Sequence, residues 1–271
     1  KRMYYEDFRE ELAVPKTFRD YNRVASFFTR GCNAASPTQY GSTVAIGNVV
    51  VSPSEFMPRL FAENGRLLDS QGRITLDTAL RALENYRETY SYSDRTIYDF
   101  WKNALEGFAD GTAAMTVVFI NYASHILNSQ MSRIAGKLGF APVPGGKPLL
   151  GGGVIGITQS CTCPAAACKF LEWLYADLVA PVFTMLGGLS PCRSAYSNRD
   201  ISEQYPWLST ARKSFPTAQR RSNSTYYQNF SELQLETILA AHVQQAVLGV
   251  CSPEEALKQA QEDCNRYFQP W

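Results

Sequence analysis

At 271 residues the chain is long enough for one or two domains. At that length folding buries about 70 % or more of the unfolded surface, so the core needs no staples. A balance of 26 basic and 25 acidic side chains leaves a net charge of +1, which removes the main electrostatic argument for nucleic-acid binding.

The first helix signal is Thr17-Phe-Arg-Asp20, a capping residue followed by an acid in the first turn, which predicts a helix through Phe28. Ser52-Pro-Ser-Glu55 reads as a capping box with proline at the first helical position; its helix runs to about Glu63, with Gly65 as the left-handed stop. Asp77 is expected to cap a helix to about Tyr90, with Leu80, Leu83 and Tyr86 near helical spacing. Asp99 to Phe108 reads as a short helix closed by Asp110-Gly111. Ala113 to Ile120 is apolar and β-prone, the pattern of a buried strand. A short helix over Ala123 to Gln130 follows, then strands at Gly139 to Val143 and Val154 to Thr158. Cys163-Pro164 opens a long helix to about Leu186, apolar at Phe170, Leu171, Leu174 and Leu178 and ended by Gly187-Gly188. Helices then dominate: Ser202 to Leu208, Glu232 to Leu248, and one from Ser252-Pro-Glu-Glu255, a second capping box. Strands among many helices predict an α/β protein.

Four motifs recur in a telling order: Phe108-Ala-Asp-Gly-Thr-Ala-Ala-Met-Thr-Val117, Gly139-Phe-Ala-Pro-Val-Pro-Gly-Gly146, Gly151-Gly-Gly-Val-Ile-Gly-Ile157 and Gly187-Gly-Leu-Ser-Pro-Cys-Arg-Ser194. In order and spacing they resemble the family 1 extracellular solute-binding proteins of ABC importers, the group that includes maltose-binding protein. The resemblance runs from about Tyr4 to the end. It implies a periplasmic-binding-protein-like type II fold: two α/β lobes with mixed sheets flanked by helices, joined by more than one crossing. Residues 1–138 would be the first part of the C-terminal lobe, 139–188 a segment crossing into the N-terminal lobe, and 189–271 the return with closing helices. On this mapping the first part of the N-terminal lobe is not in the chain. The chain also begins with Lys and carries no signal peptide, so it is expected to start inside a longer product.

The resemblance implies a non-enzymatic, monomeric importer component. It would bind a carbohydrate without a cofactor, by hinge closure, and hand it to a membrane permease. Extracytoplasmic placement, periplasmic or membrane-tethered, follows. Sugar sites combine aromatic faces with carboxylate and amide groups. The implied ligand residues are Asn121 and Tyr122 after the apolar strand, Gly152 and Gly153 lining the cleft, Arg193 after the Gly187-Gly188 turn, and an aromatic wall of Tyr226 and Tyr227. Glu55 is a hydrogen-bond acceptor for sugar hydroxyls, although the capping box explains it equally well.

Other chemistries find less support. Gly151-x-Gly153-x-x-Gly156 spells the dinucleotide fingerprint, but strand-like residues follow where a helix N-terminus must hold the pyrophosphate. Cys161-x-Cys163-x4-Cys168 lacks a zinc ligand set, since the two histidines, His125 and His242, lie far off in sequence. Small cysteines packed inward at a helix start are the plainer reading. Arg212, Lys213, Arg220 and Arg221, interleaved with aromatics, read as a solvated basic loop before an anion or sugar contact. No Gly-x-Ser-x-Gly elbow appears. The spacing of the seven cysteines suggests no disulfide framework of the small secreted type, and their odd count leaves at least one unpaired within the chain. Scattered thiols favour a reducing compartment, which keeps a second reading open: a cytoplasmic transcriptional regulator using the same module as its ligand sensor.

Overall fold

Thr17 and Asp20 start the first long helix as the sequence predicts. In the computed structural model the Thr17 hydroxyl accepts from the Asp20 N–H, and the Asp20 carboxylate accepts from the Thr17 N–H. The structure describes residues 1–47, 49–197, 201, 203, 205–221, 227–228 and 231–270. They divide into two compact units: residues 1–117, 143–149 and 217–271, and residues 118–142 and 150–216. The chain therefore changes unit at 117/118, 142/143, 149/150 and 216/217. The lobe boundaries expected at 138/139 and 188/189 both fall inside the second unit.

In the first unit α1 (Arg2–Phe8), α2 (Phe18–Phe27) and β1 (Tyr40–Thr43) precede α3 (Val51–Ala62), α4 (Leu76–Ser91), α5 (Trp101–Ala109) and β2 (Ala113–Thr116). β1 and β2 pair in parallel, Tyr40 opposite Ala113 and Ser42 opposite Met115. β2 stops four residues before the expected end. Buried side chains of α3 (Phe56, Met57, Leu60) and α4 (Ala79, Leu83, Tyr86) form one side of the core. The closing helix pair, which we call α11 (Glu232–Leu248) and α12 (Pro253–Tyr267), contributes Leu235, Leu239, Val243, Leu257 and Cys264 to that core. α3 packs on α4 and on α11, and α11 on α12. The α12 start carries both bonds of the Ser252–Glu255 capping box. Tyr4 and Phe8 each pack edge to face with Phe27, and Val24 joins the same cluster. A two-residue pairing of β3 (Tyr227–Gln228) with β4 (Gln269–Pro270) closes this unit.

The expected capping box at Ser52 is not formed. α3 begins two residues earlier, with Val50 as its N-cap, and the Ser52 hydroxyl donates back to the Gly47 carbonyl instead of capping. The left-handed residue after this helix is Asn64 rather than Gly65; asparagine tolerates that conformation at little cost.

The second unit holds a 3-10 turn at Ile120–Tyr122, α6 (Ala123–Leu127), α7 (Pro164–Leu174), α8 (Ala180–Met185), α9 (Ser194–Ser197) and α10 (Pro206–Ser214). Its core joins Ala123, Ala180, Ala195, Tyr196, Trp207, Leu208 and Ala211, with Ile120, Leu127 and Phe140 against them. The helix expected from Cys163 to Leu186 is split in two. Pro181 in the first turn of α8 has no N–H to continue the ladder, and its ring excludes the carbonyl a turn earlier. α7 has no buried residue, and the apolar positions Phe170, Leu171, Leu174 and Leu178 are uncovered or only partly covered. Residues 139–143 and 154–158 belong to no β-ladder, because a strand needs a neighbour to satisfy its backbone. The helix expected from Ser202 begins on a residue outside those described, and the described helix is α10.

Candidate functional site

In the first unit the polar residues gather on α3. Arg59 is 2 % exposed, and its guanidinium lies 4.7 Å from the ring centroids of both Phe18 and Tyr86. Its Nη1 donates to Glu55 Oε2 at 3.3 Å and to the Glu55 carbonyl, and its Nη2 to Thr89 Oγ1 at 3.4 Å. Burial pushes the Glu55 carboxyl up to about 7, against the pull of Arg59 and a hydrogen bond from Trp101. Glu55 thus sits as an interior ion-pair partner, and an incoming hydroxyl must compete with Arg59 for its oxygens.

Directly before Glu55 on α3, Ser54 accepts from Arg221 Nη2 at 3.4 Å, and Arg221 Nε is ion-paired with Glu236 of α11. Burial raises the Glu236 carboxyl, opposed by Arg221. Sequence reasoning had Arg221 in a solvated basic loop. Partners far apart in the chain leave no local signal for this cluster.

In the second unit the Phe119–Ser124 segment follows the short strand β2. Asn121 is exposed and Tyr122 half-buried, and burial raises the Tyr122 hydroxyl. Two glycines let other segments approach it. A Cβ on Gly151 would stand 2.9 Å from the Phe119 ring. Gly187 holds φ +98°, and a Cβ there would meet Ser124 Oγ at 2.3 Å and the Asn121 carbonyl at 3.8 Å. So the structure brings together Phe119, Asn121, Tyr122, Ser124, Gly151 and Gly187. Gly152 and Gly153 are exposed beside Gly151, and a Cβ on either would meet nothing within 4 Å. Arg193 is exposed, and its carbonyl accepts from the Ser197 hydroxyl at 2.9 Å. Tyr226 lies outside the described residues. Tyr227 is in the first unit, where its backbone pairs opposite Pro270.

No helix follows the Gly151–Gly156 run until Pro164, so the geometry that cradles a pyrophosphate is missing there. Cys163 and Cys168 are exposed and Cys161 partly so, rather than packed inward as expected. Among the described residues no three His, Cys, Asp or Glu side chains gather as a metal site.

A family model described as bacterial extracellular solute-binding protein matches residues 3–210. A probable amino-acid ABC transporter periplasmic-binding protein from Sinorhizobium fredii is 21 % identical over 199 residues. That match covers 72 % of this chain and spans 44 % of the relative's length. The structure of an ABC transporter solute-binding protein from Agrobacterium radiobacter, in complex with ribitol, superposes with a TM-score of 0.77 at 20 % identity, covering 99 % of this chain and 68 % of that one. Maltose-bound MalE3 from T. maritima superposes with a TM-score of 0.80 at 20 % identity, covering 97 % and 68 %. These likenesses establish the type II periplasmic-binding-protein fold. The family match covers most of the chain, and the chain belongs to the bacterial extracellular solute-binding protein family.

Proposed function

We propose that this chain is the solute-binding component of an ABC importer and that its solute is a sugar or polyol. The observation that carries the solute class is the set of similar folds: those solved with ribitol, maltose, D-mannitol and α-D-tagatose all superpose with TM-scores of 0.73 or above. The chemistry of the second unit supports it, since Tyr122 offers a flat apolar face and a hydroxyl beside the exposed Asn121 amide. The first unit is assigned as the C-terminal lobe and the second as part of the N-terminal lobe. The proposed mechanism is hinge closure, in which solute shifts the population toward a closed state because it binds that state better. No catalytic step is assigned, and the proposed place of work is extracytoplasmic, with a membrane permease as partner.

A thermal-shift panel of ribitol, D-mannitol, D-tagatose, maltose and the common amino acids tests the solute class. Stabilisation by polyols or sugars is the expected result. Stabilisation by amino acids alone would overturn the carbohydrate assignment and match the name of the S. fredii relative instead. The seven free thiols favour the second reading, a cytoplasmic sensor. The upstream coding sequence separates the two, since a signal peptide means transport and a DNA-binding domain means regulation.

A further inference from the structure

Arg221 ties together two helices of the first unit. It donates to Ser54 on α3 and is ion-paired with Glu236 on α11. Ser54 and Glu236 are each 5 % exposed, and Arg221 Nε is buried with them, whereas the Arg221 side chain as a whole is 21 % exposed, so this side chain is the part of the cluster that solvent reaches. As a stabilising device the cluster is poor, because desolvating two charges offsets most of their attraction.

We infer that Arg221, Glu236 and Ser54 grip a neutral polyhydroxyl solute and set its specificity. The inference rests on the solute-binding reading above and adds the residues that select the solute. The charge count decides the ligand class. Arg221, Glu236 and Ser54 are neutral as a set, with a fork of cationic donors, an anionic acceptor and a hydroxyl that plays both roles, and the Glu232 carboxylate, which also raises the Glu236 carboxyl, adds to the repulsion of anions. An anionic solute would be drawn to Arg221 but repelled by Glu236, and a cationic solute the reverse. A vicinal diol uses both: one hydroxyl oxygen accepts from the guanidinium while its neighbour donates to the carboxylate. Arg221 then orients the solute, and Glu236 keeps out its acidic analogues.

Isothermal titration of the whole chain with ribitol, D-mannitol, maltose and the sugar acid gluconate tests this. The proteins are wild type, Arg221→Ala, Arg221→Lys, Glu236→Gln and Ser54→Ala, with melting curves as folding controls. Wild type should take a neutral solute and reject gluconate. Arg221→Ala should weaken the neutral solute at least 10-fold. Arg221→Lys should weaken it less but measurably, since lysine keeps the charge without the fork. Glu236→Gln should lose affinity for the neutral solute and gain affinity for gluconate, a reversal that a purely structural ion pair cannot produce. If wild type binds a neutral solute and both Arg221→Lys and Ser54→Ala match it within twofold, with gluconate still rejected by Glu236→Gln, the inference is overturned and the solute-binding reading stands. If wild type binds none of the neutral solutes, the carbohydrate reading fails and takes this inference with it.

Discussion

Arg59→Met isolates the buried charge on α3. In the wild type, burial raises the Glu55 carboxyl from 4.5 to about 7. A carboxyl raised on folding holds its proton more tightly in the folded state, so its effect on stability is most favourable below about 4.5. That stability is lost as pH rises toward 7 and is level above it; the change corresponds to roughly 3 kcal/mol. Arg59 lowers the Glu55 carboxyl, so removing it moves that titration above 7. At pH 8.5 the variant must either hold a carboxylate without its counterion or take up a proton from basic solution, and breaking a buried pair in this way costs about 3–5 kcal/mol. At pH 5 the carboxyl is protonated and most of that penalty disappears. What remains is the loss of two cation–π contacts, about 1–2 kcal/mol, and of the hydrogen bonds to Thr89 and the Glu55 carbonyl, with methionine refilling most of the volume. Urea unfolding followed by tryptophan fluorescence at both pH values gives the comparison. The expected cost is at least about 2 kcal/mol larger at pH 8.5. Glu55→Leu combined with Arg59→Met should recover most of it, because the unpaired charge is gone. An equal cost at pH 5 and pH 8.5 would refute the reasoning, since it would mean that Glu55 carries no interior charge that Arg59 offsets.

Tyr122→Ala should weaken solute binding by roughly 1–3 kcal/mol while the melting temperature changes little, if the ring stacks on the solute; a stability loss of about 3–5 kcal/mol with affinity unchanged would instead make Tyr122 a core residue. Gly187→Ala forces a Cβ against Ser124 at a positive φ, so the expected outcome is a loss of about 1–3 kcal/mol in thermal or chemical denaturation. Gly187→Ala combined with Ser124→Gly should recover only the steric part. Thiol titration of the unfolded, unreduced protein should find five or more reactive groups among the seven cysteines; three or fewer would mean two disulfides and would favour the extracellular reading.

By itself the sequence determined the local events. The Ser252–Glu255 box is formed as read, Thr17 caps its helix as read and forms a full box with Asp20, and α11 runs from Glu232 to Leu248 as its pattern states. Capping chemistry is settled within four residues of chain, so it is legible there. The motif order was legible too, and the family match agrees with it. The break at Pro181 was written in the chain but hidden by the apolar run around it. Tertiary structure alone decided the rest. Whether an extended apolar stretch becomes a strand depends on a neighbour, and residues 154–158 have no ladder partner while the short, polar Tyr40–Thr43 segment finds one in β2. Whether a carboxylate meets solvent or an arginine depends on what packs over it. Glu55 is matched by Arg59 one turn away, but it is burial of the pair among Tyr86, Phe18 and Trp101 that raises the Glu55 carboxyl and makes each charge depend on the other. Arg221 reaches Ser54 across 167 positions of sequence. No periodicity or cap encodes such a contact, because the groups that offset each other's desolvation are brought together only by the folded chain.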